Sequence, residues 1–263
     1  MLNACRPIDL YLQADNPVFI SNHIIPRSSI DTISVINYNI EYGKHTIEAS
    51  QWLSEHLNPK YSQIIFLQEL CEKDVEYMAE VLDLNYLYIP ISFEEKKNKN
   101  FGNGILTNWE ITRYKKVLLK HSKPFNGRRR SATYGLLKYE DQYIHAYSTH
   151  LETIIMPPKK RKEQLASLVA DINSDKDSDM ILIGGDFNCI SNDMRQAYTS
   201  ALEEIDVKEY TKDIQATAQI LFGIPVTLDL VYGKGFNVHD QQTHSHHNWS
   251  DHAAVELTLV IDR

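Results

Sequence analysis

The chain has 263 residues, 43% of them hydrophobic and 24% charged, with a formal net charge of −8 at pH 7. Length and apolar content suit a single sizeable α/β domain, and the acidic balance speaks against a protein that coats duplex nucleic acid, for which a basic stripe is expected. Three widely spaced cysteines give no disulfide framework, no apolar run reaches the roughly 18–20 residues of a membrane span, and Arg6, Asp9 and Asp15 stand where a secretory signal would be apolar. A reducing cytosol is therefore the expected compartment, with export by a signal-independent route left open.

In chain order, residues 1–31 match no pattern and are read as an N-terminal extension, either a cap, an edge strand or an arm. The run Ile33–Ile40 (ISVINYNI) reads as a buried strand and brings Asn39 and Glu41 to its end. Ile47, Ala49, Trp52, Leu53 and Leu57 then fall on one helical face. Ile64–Leu67 is the next strand and runs into Gln68 and Glu69, followed by Val75, Met78, Ala79 and Leu82 at helical spacing. Strands are expected near Gly104–Thr107, Val117–Leu119 and Tyr134–Tyr139. Tyr143–Tyr147 leads to Ser148, Thr149, His150, Leu151 and Glu152, and Leu165, Leu168, Val169 and Ile172 mark the clearest helix. Met180–Ile183 precedes Gly185-Asp186-Phe187-Asn188, Thr227–Tyr232 carries Asp229 within an apolar run, and Ser250-Asp251-His252 opens the last strand, 253–260.

Strands alternating with amphipathic stretches define an α/β class. One Gly-Asp-Phe-Asn after a strand also suits a tight turn closed by an Asx hydrogen bond. Repetition argues for more: six apolar runs each deliver a carboxylate, an amide or an imidazole to a strand end, the rim where open α/β sheets place their chemistry. A hard divalent cation with acid–base groups beside it is the natural use of such a set.

Asn39 with Glu41, Gln68-Glu69, Thr149-His150, Gly185-Asp186-Phe187-Asn188, Asp229 and Ser250-Asp251-His252 resemble the ordered motifs of the endonuclease/exonuclease/phosphatase superfamily. The resemblance runs from about Ile33 to the C-terminus and implies a catalytic domain over 32–263. It implies a four-layer sandwich, two packed mixed β-sheets flanked by helices, with the site at one end. It also implies Mg²⁺ or Mn²⁺, held by Asn39, Glu41, Glu69 and Asp251. Asp186 would orient or deprotonate the attacking water, Asn188 fix phosphate or water, and His252 pair with Asp229. Whether Asp186 or His252 is the base stays open. His150 would donate to the phosphate, which fits the His-containing branch of deoxyribonuclease I, the sphingomyelinases and the tyrosyl-DNA phosphodiesterases. Asn103 and Arg130 are weaker candidates for substrate phosphate.

Other signals are read as structural. His244, His246 and His247 form a polar loop rather than a zinc site, and Pro157–Lys162 (PPKKRK) is a solvated helix start rather than a localisation signal. The reading that results is a monomeric divalent-metal phosphodiesterase acting on nucleic acid, as a nuclease or adduct-repair enzyme. Its alternatives are a lipid or small-molecule phosphoesterase with the same site, and a non-catalytic binding module with the same fold. A dead module predicts damage to the motif residues, and none is damaged.

Overall fold

Long apolar runs such as Ile33–Tyr38 are buried on both faces because each sheet has helices on one side and the other sheet on its second side. The computed structural model describes residues 8–23, 29–124, 126–175, 179–220, 223–244 and 249–262. His246 and His247 lie outside them, as does part of the N-terminal extension. The first half contains β1 (Ile8–Leu10), β2 (Phe19–Ser21), β3 (Ser29–Asn39), α1 (Thr46–His56), β4 (Tyr61–Leu70), α2 (Glu72–Leu82), β5 (Asn85–Glu94), β6 (Lys99–Thr107) and β7 (Glu110–Ser122). The second contains β8 (Arg129–Tyr139), β9 (Gln142–His150), α3 (Pro158–Ile172), β10 (Ile181–Asp186), α4 (Asn192–Glu203), β11 (Lys208–Glu209), β12 (Ala218–Ile220), β13 (Ile224–Val226), β14 (Asp229–Lys234), β15 (Phe236–His244) and β16 (Ala254–Ile261).

One sheet has the order β1-β5-β6-β4-β3-β16-β15, with β2 also on β5, and the other β11-β14-β10-β9-β8-β7. Each holds one parallel pair, β3 with β4 and β9 with β10, among antiparallel neighbours, so both are mixed. Period-two alternation sorts the side chains: Val35 faces the second sheet while Ile36 faces α1 and α2. Ile33, Ile64 and Phe66 meet Leu182 and Val231 between the sheets, and α3 and α4 cover the outer face of the second with Leu165, Leu168, Tyr198 and Leu202. This is the four-layer sandwich that the motif order implies. Of the N-terminal extension, β1 and β2 are edge strands paired with β5.

The helices begin where local chemistry starts them. Asp74 Oδ2 accepts from the Cys71 backbone N–H at 3.0 Å to open α2, and Ser191 caps α4 by accepting from Met194 N–H at 3.3 Å. Pro158 stands in the first turn of α3, where its missing N–H costs nothing. Lys159, Lys160 and Lys162 are exposed there, as a solvated helix start requires, but Arg161 within the run is buried and its Nη1 donates to the Asn188 carbonyl at 2.9 Å.

A polar seam joins the sheets near one end. Gln68 Nε2 donates to Asn37 Oδ1 at 3.0 Å in its own sheet and to Ser148 Oγ at 3.1 Å in the other. Asn37 Nδ2 donates to the Gly185 carbonyl at 3.2 Å, and Ser148 Oγ to the Leu67 carbonyl at 3.0 Å. Gly184 passes so close to Phe66 that a Cβ there would overlap the ring. Gly184→Ala is therefore expected to lower stability by about 1–3 kcal/mol through overpacking. Urea denaturation measures it, and an unchanged midpoint would show that the sheets are free to separate.

Candidate active site

The ends of β3, β4, β9 and β10 and the start of β14 lie on one side of the sandwich, because the parallel pairs run toward it and β14 runs away from it. Asp186 closes β10 directly opposite Asp229, the first residue of β14, and beside His150, the last of β9. Asp229 thus heads its strand rather than sitting inside it.

His252 Nδ1 donates to Asp229 Oδ2 at 2.7 Å, and its Nε2 lies 3.8 Å from Asp186 Oδ2. Burial works against charge on this ring, but Asp229 and Asp186 outweigh it and push the imidazole up to about 10. Asp186 is fixed from several sides: Asn39 Nδ2 donates to Oδ2 at 3.2 Å, the Asn188 backbone N–H to Oδ1 at 2.9 Å, and His150 Nε2 stands 3.3 Å from Oδ2. Burial pushes its carboxyl up to about 7 against the pull of His252, which is where a base must sit to work near neutral pH.

The tautomer of His150 follows from its other neighbour. Arg130 Nη1 lies 2.9 Å from His150 Nδ1, and since arginine only donates, Nδ1 accepts and Nε2 carries the hydrogen. Burial, then Arg130, hold this ring well below the ordinary imidazole range, so it is a neutral donor aimed at Asp186 and Glu69. Arg130 Nη2 also lies 3.5 Å from Glu152 Oε1, and Lys123 Nζ 3.7 Å from the same oxygen. Burial raises the Glu152 carboxyl, but Arg130, the Thr153 N–H and Lys123 more than reverse this and leave it lowered.

Glu69 is held differently. It sits at a bulge of β4 with φ +61°, a conformation that turns its side chain into the site. Among the described residues its carboxylate makes no hydrogen bond, and its nearest ion-pair partner, His150 Nε2, is 3.9 Å away. Burial therefore raises it, with Arg130 and His252 pulling the other way.

The structure brings Asn39, Glu69, His150, Asp186, Asp229 and His252 together as the motifs imply. Asn39 is spent within the protein, its Oδ1 accepting from the Glu41 N–H at 3.1 Å. Asn188 stands behind, its Nδ2 donating to the Leu151 carbonyl at 3.0 Å. Glu41 pairs with Lys44, and Asp251 is exposed on the rim beside His252. Asn103 and Arg130 are both buried: Asn103 Nδ2 donates to the Ser131 carbonyl across the sheets at 2.8 Å, and Arg130 faces His150. Sequence reasoning assigned no role to Glu152 or to Arg128, which reaches Glu94, donates to Tyr42 Oη at 3.0 Å and lies with its Cζ 4.7 Å from the Phe101 ring centre. Both were visible only as neighbours of motif residues.

Asp186, Asp229 and His252 bring ligand atoms within 4.8 Å of one another, close enough to hold a cation. The Nδ1–H of His252 is already donated to Asp229. An acid–base set of this kind on the rim of two packed sheets is the equipment of a hydrolase. The chain belongs to the Endonuclease/Exonuclease/phosphatase family, whose sequence model matches residues 36–252.

Solved structures share the fold at low identity. A family protein from Bacteroides thetaiotaomicron superposes with TM-score 0.69 at 16% identity, over 88% of this chain and 98% of its own. A mannosyl-6-phosphatase from B. thetaiotaomicron VPI-5482 gives 0.67 at 17%, over 87% and 100%. D. rerio TDP2 complexed with a single-strand DNA product gives 0.65 at 12%, over 87% and 98%. No curated protein matches the chain by sequence.

Two outcomes test this electrostatic reading. Nitrogen-15 NMR of the imidazoles is expected to show His150 as the neutral Nε2–H tautomer from neutral pH down through 6.5, and protonation at an ordinary histidine value would contradict it. Arg130→Met leaves Glu152 buried without its nearest guanidinium and should cost about 3–5 kcal/mol in chemical denaturation. A loss under about 1 kcal/mol, the worth of a surface pair, would overturn the assignment.

Proposed function

We propose that this chain is a divalent-metal-dependent phosphodiester hydrolase. The observation that carries the reading is Glu69: a half-buried carboxylate with no hydrogen-bond donor among the described residues, facing a proton-handling Asp–His–Asp unit. A hard cation fits it, since Mg²⁺ and Mn²⁺ take oxygen ligands and need only one or two carboxylates. Glu69 would hold the ion, with Asp251 on the rim as the second carboxylate. When bound, the ion supplies charge neutralisation at the phosphate oxygens.

The protein's own groups account for the protons. Asp186, steadied by Asn39 and the Asn188 N–H, accepts a proton from water as the water oxygen bonds to phosphorus. The bond from phosphorus to the ester oxygen breaks, and His252, an imidazolium between Asp229 and Asp186, supplies the proton that this oxygen takes up. His150 donates its Nε2–H to a non-bridging oxygen. Asp186 rather than His252 is then the base, because a ring flanked by two carboxylates already carries its proton.

Nucleic acid is the first substrate reading, and the fold shared with D. rerio TDP2 holding a DNA product supports it. A lipid phosphodiester is the second reading, and one observation favours it: exposed isoleucines stand on segments at the end of the sandwich that carries the site. No helix among the described residues is long and apolar enough to cross a membrane.

The test is turnover of bis(p-nitrophenyl) phosphate with Mn²⁺ or Mg²⁺. Asp186→Asn and His252→Ala are each expected to lower kcat/KM by about 10²-fold or more. Glu69→Gln should weaken Mn²⁺ binding by calorimetry while the fold persists by circular dichroism. Wild-type turnover that ignores chelators, or variants that stay fully active, would refute the proposal.

A further inference from the structure

Among the described residues, four large hydrophobic side chains are more than half exposed: Ile154 59%, Ile47 54%, Ile224 53% and Ile155 51%. All four leave the end of the sandwich that carries the site. Ile47 is in the first turn of α1, which follows Asn39; Ile154 and Ile155 are in the loop that follows His150 and Glu152; Ile224 opens β13, just ahead of Asp229. Scattered exposed hydrophobics are ordinary on a soluble protein, but concentration around one opening marks a contact surface.

The β12–β13 hairpin is tied to the catalytic pair itself. The Ala253 N–H donates to the Thr217 carbonyl at 2.6 Å, and Ala218 bridges His252 as an isolated antiparallel pair. Thr217 Oγ1 in turn accepts from the Leu228 and Asp229 N–H groups at 2.9 and 3.2 Å. Whatever Ile224 touches is therefore held at a fixed place relative to Asp229 and His252.

Exposed lysines also stand at this end, among acids such as Glu95 and Asp251. Lys96 and Lys97, at the turn between β5 and β6, and Lys159, Lys160 and Lys162, at the start of α3, are exposed, and none has an ion-pair partner among the described residues. On a chain of net charge −8 these cations lie at the same end of the sandwich as the exposed isoleucines. The kind of apolar group decides between partners. Bases stack on aromatic rings, yet the exposed tyrosines Tyr77, Tyr114 and Tyr143 lie in the middle of α2, within β7 and at the far start of β9. Aliphatic side chains flanked by lysines match instead the boundary between anionic headgroups and acyl chains.

We propose that the rim of the site docks on an anionic lipid bilayer, with Ile47, Ile154, Ile155 and Ile224 entering the headgroup–acyl boundary and the lysines on the headgroups. The docked site would receive the phosphodiester of a membrane lipid, the second of the two substrate readings. This substrate assignment rests on the hydrolase reading; the docking surface does not.

The experiment is co-sedimentation of the full chain with vesicles of phosphatidylcholine containing about one-third phosphatidylserine, which sets a negative surface potential. Wild type is expected to bind, less so at high salt. The variants Ile154→Ser/Ile155→Ser and Ile47→Ser/Ile224→Ser, all at exposed positions, should each bind about tenfold more weakly or worse. Tyr114→Ser, also at an exposed position but away from the rim, should bind as wild type. No wild-type binding, or binding unchanged in both isoleucine variants, overturns the proposal. So does tenfold weaker binding of a labelled single-stranded oligonucleotide by those variants with vesicle binding intact, which assigns the rim to nucleic acid. Wild-type turnover of the soluble bis(p-nitrophenyl) phosphate reads the hydrolase assignment separately, so either can fail without the other.

Discussion

Everything at this site depends on two sheets holding one register against each other. Asn39 belongs to the first sheet and Asp186 to the second, yet Asn39 Nδ2 reaches Asp186 Oδ2 at 3.2 Å. The same junction is crossed by Gln68 to Ser148, by Ser148 to Leu67 and by Asn37 to Gly185. Apolar packing between Phe66, Leu182 and Val231 brings the sheets together but tolerates small slips. Hydrogen bonds between buried groups do not tolerate them, because a displaced donor stays unsatisfied at a cost of about 1–3 kcal/mol. The seam therefore gives directional precision to an interface that hydrophobic burial alone leaves loosely specified.

The charged groups form two linked systems with different tasks. Asp229, His252 and Asp186 form one, in which the flanking carboxylates favour the charged ring despite burial. Burial first, and then the Arg130 guanidinium against Nδ1, disfavour positive charge on His150, while Glu152 pairs with that guanidinium. Two histidines a few ångströms from one carboxylate are thus given opposite charge states by their second partners, an acid for one and a base for the other. Glu69 lies between them, 3.9 Å from His150 Nε2 and with no hydrogen bond to its carboxylate among the described residues. Carboxylate, imidazolium and neutral imidazole can then serve one phosphate together.

Much of this was legible in the residues, for a physical reason. An Asp or Glu after an apolar run cannot stay in a two-sided core, so it goes to the rim, and Glu69, Asp186 and Asp229 follow that rule. The helices α1, α2 and α3 were visible in the spacing of their apolar residues. The helix α4 was not, since only Met194, Tyr198 and Leu202 of its residues are buried and polar side chains lie between them. Partners across the sheets were also out of reach. That Arg130 meets His150, or that the amide of Asn103 is used up on Ser131, depends on which strands become neighbours. The β12–β13 hairpin was missed because its strands have three residues each and one contains Pro225.

The central claim is that a residue of one sheet acts through a residue of the other. A double-mutant cycle in kcat/KM between Asn39→Ala and Asp186→Asn tests it most directly. If Asn39 works by fixing Asp186, the double variant is about as slow as Asp186→Asn alone, with a coupling of roughly 0.5–3 kcal/mol. Effects that simply add would show that the two sheets contribute independently and would contradict the account.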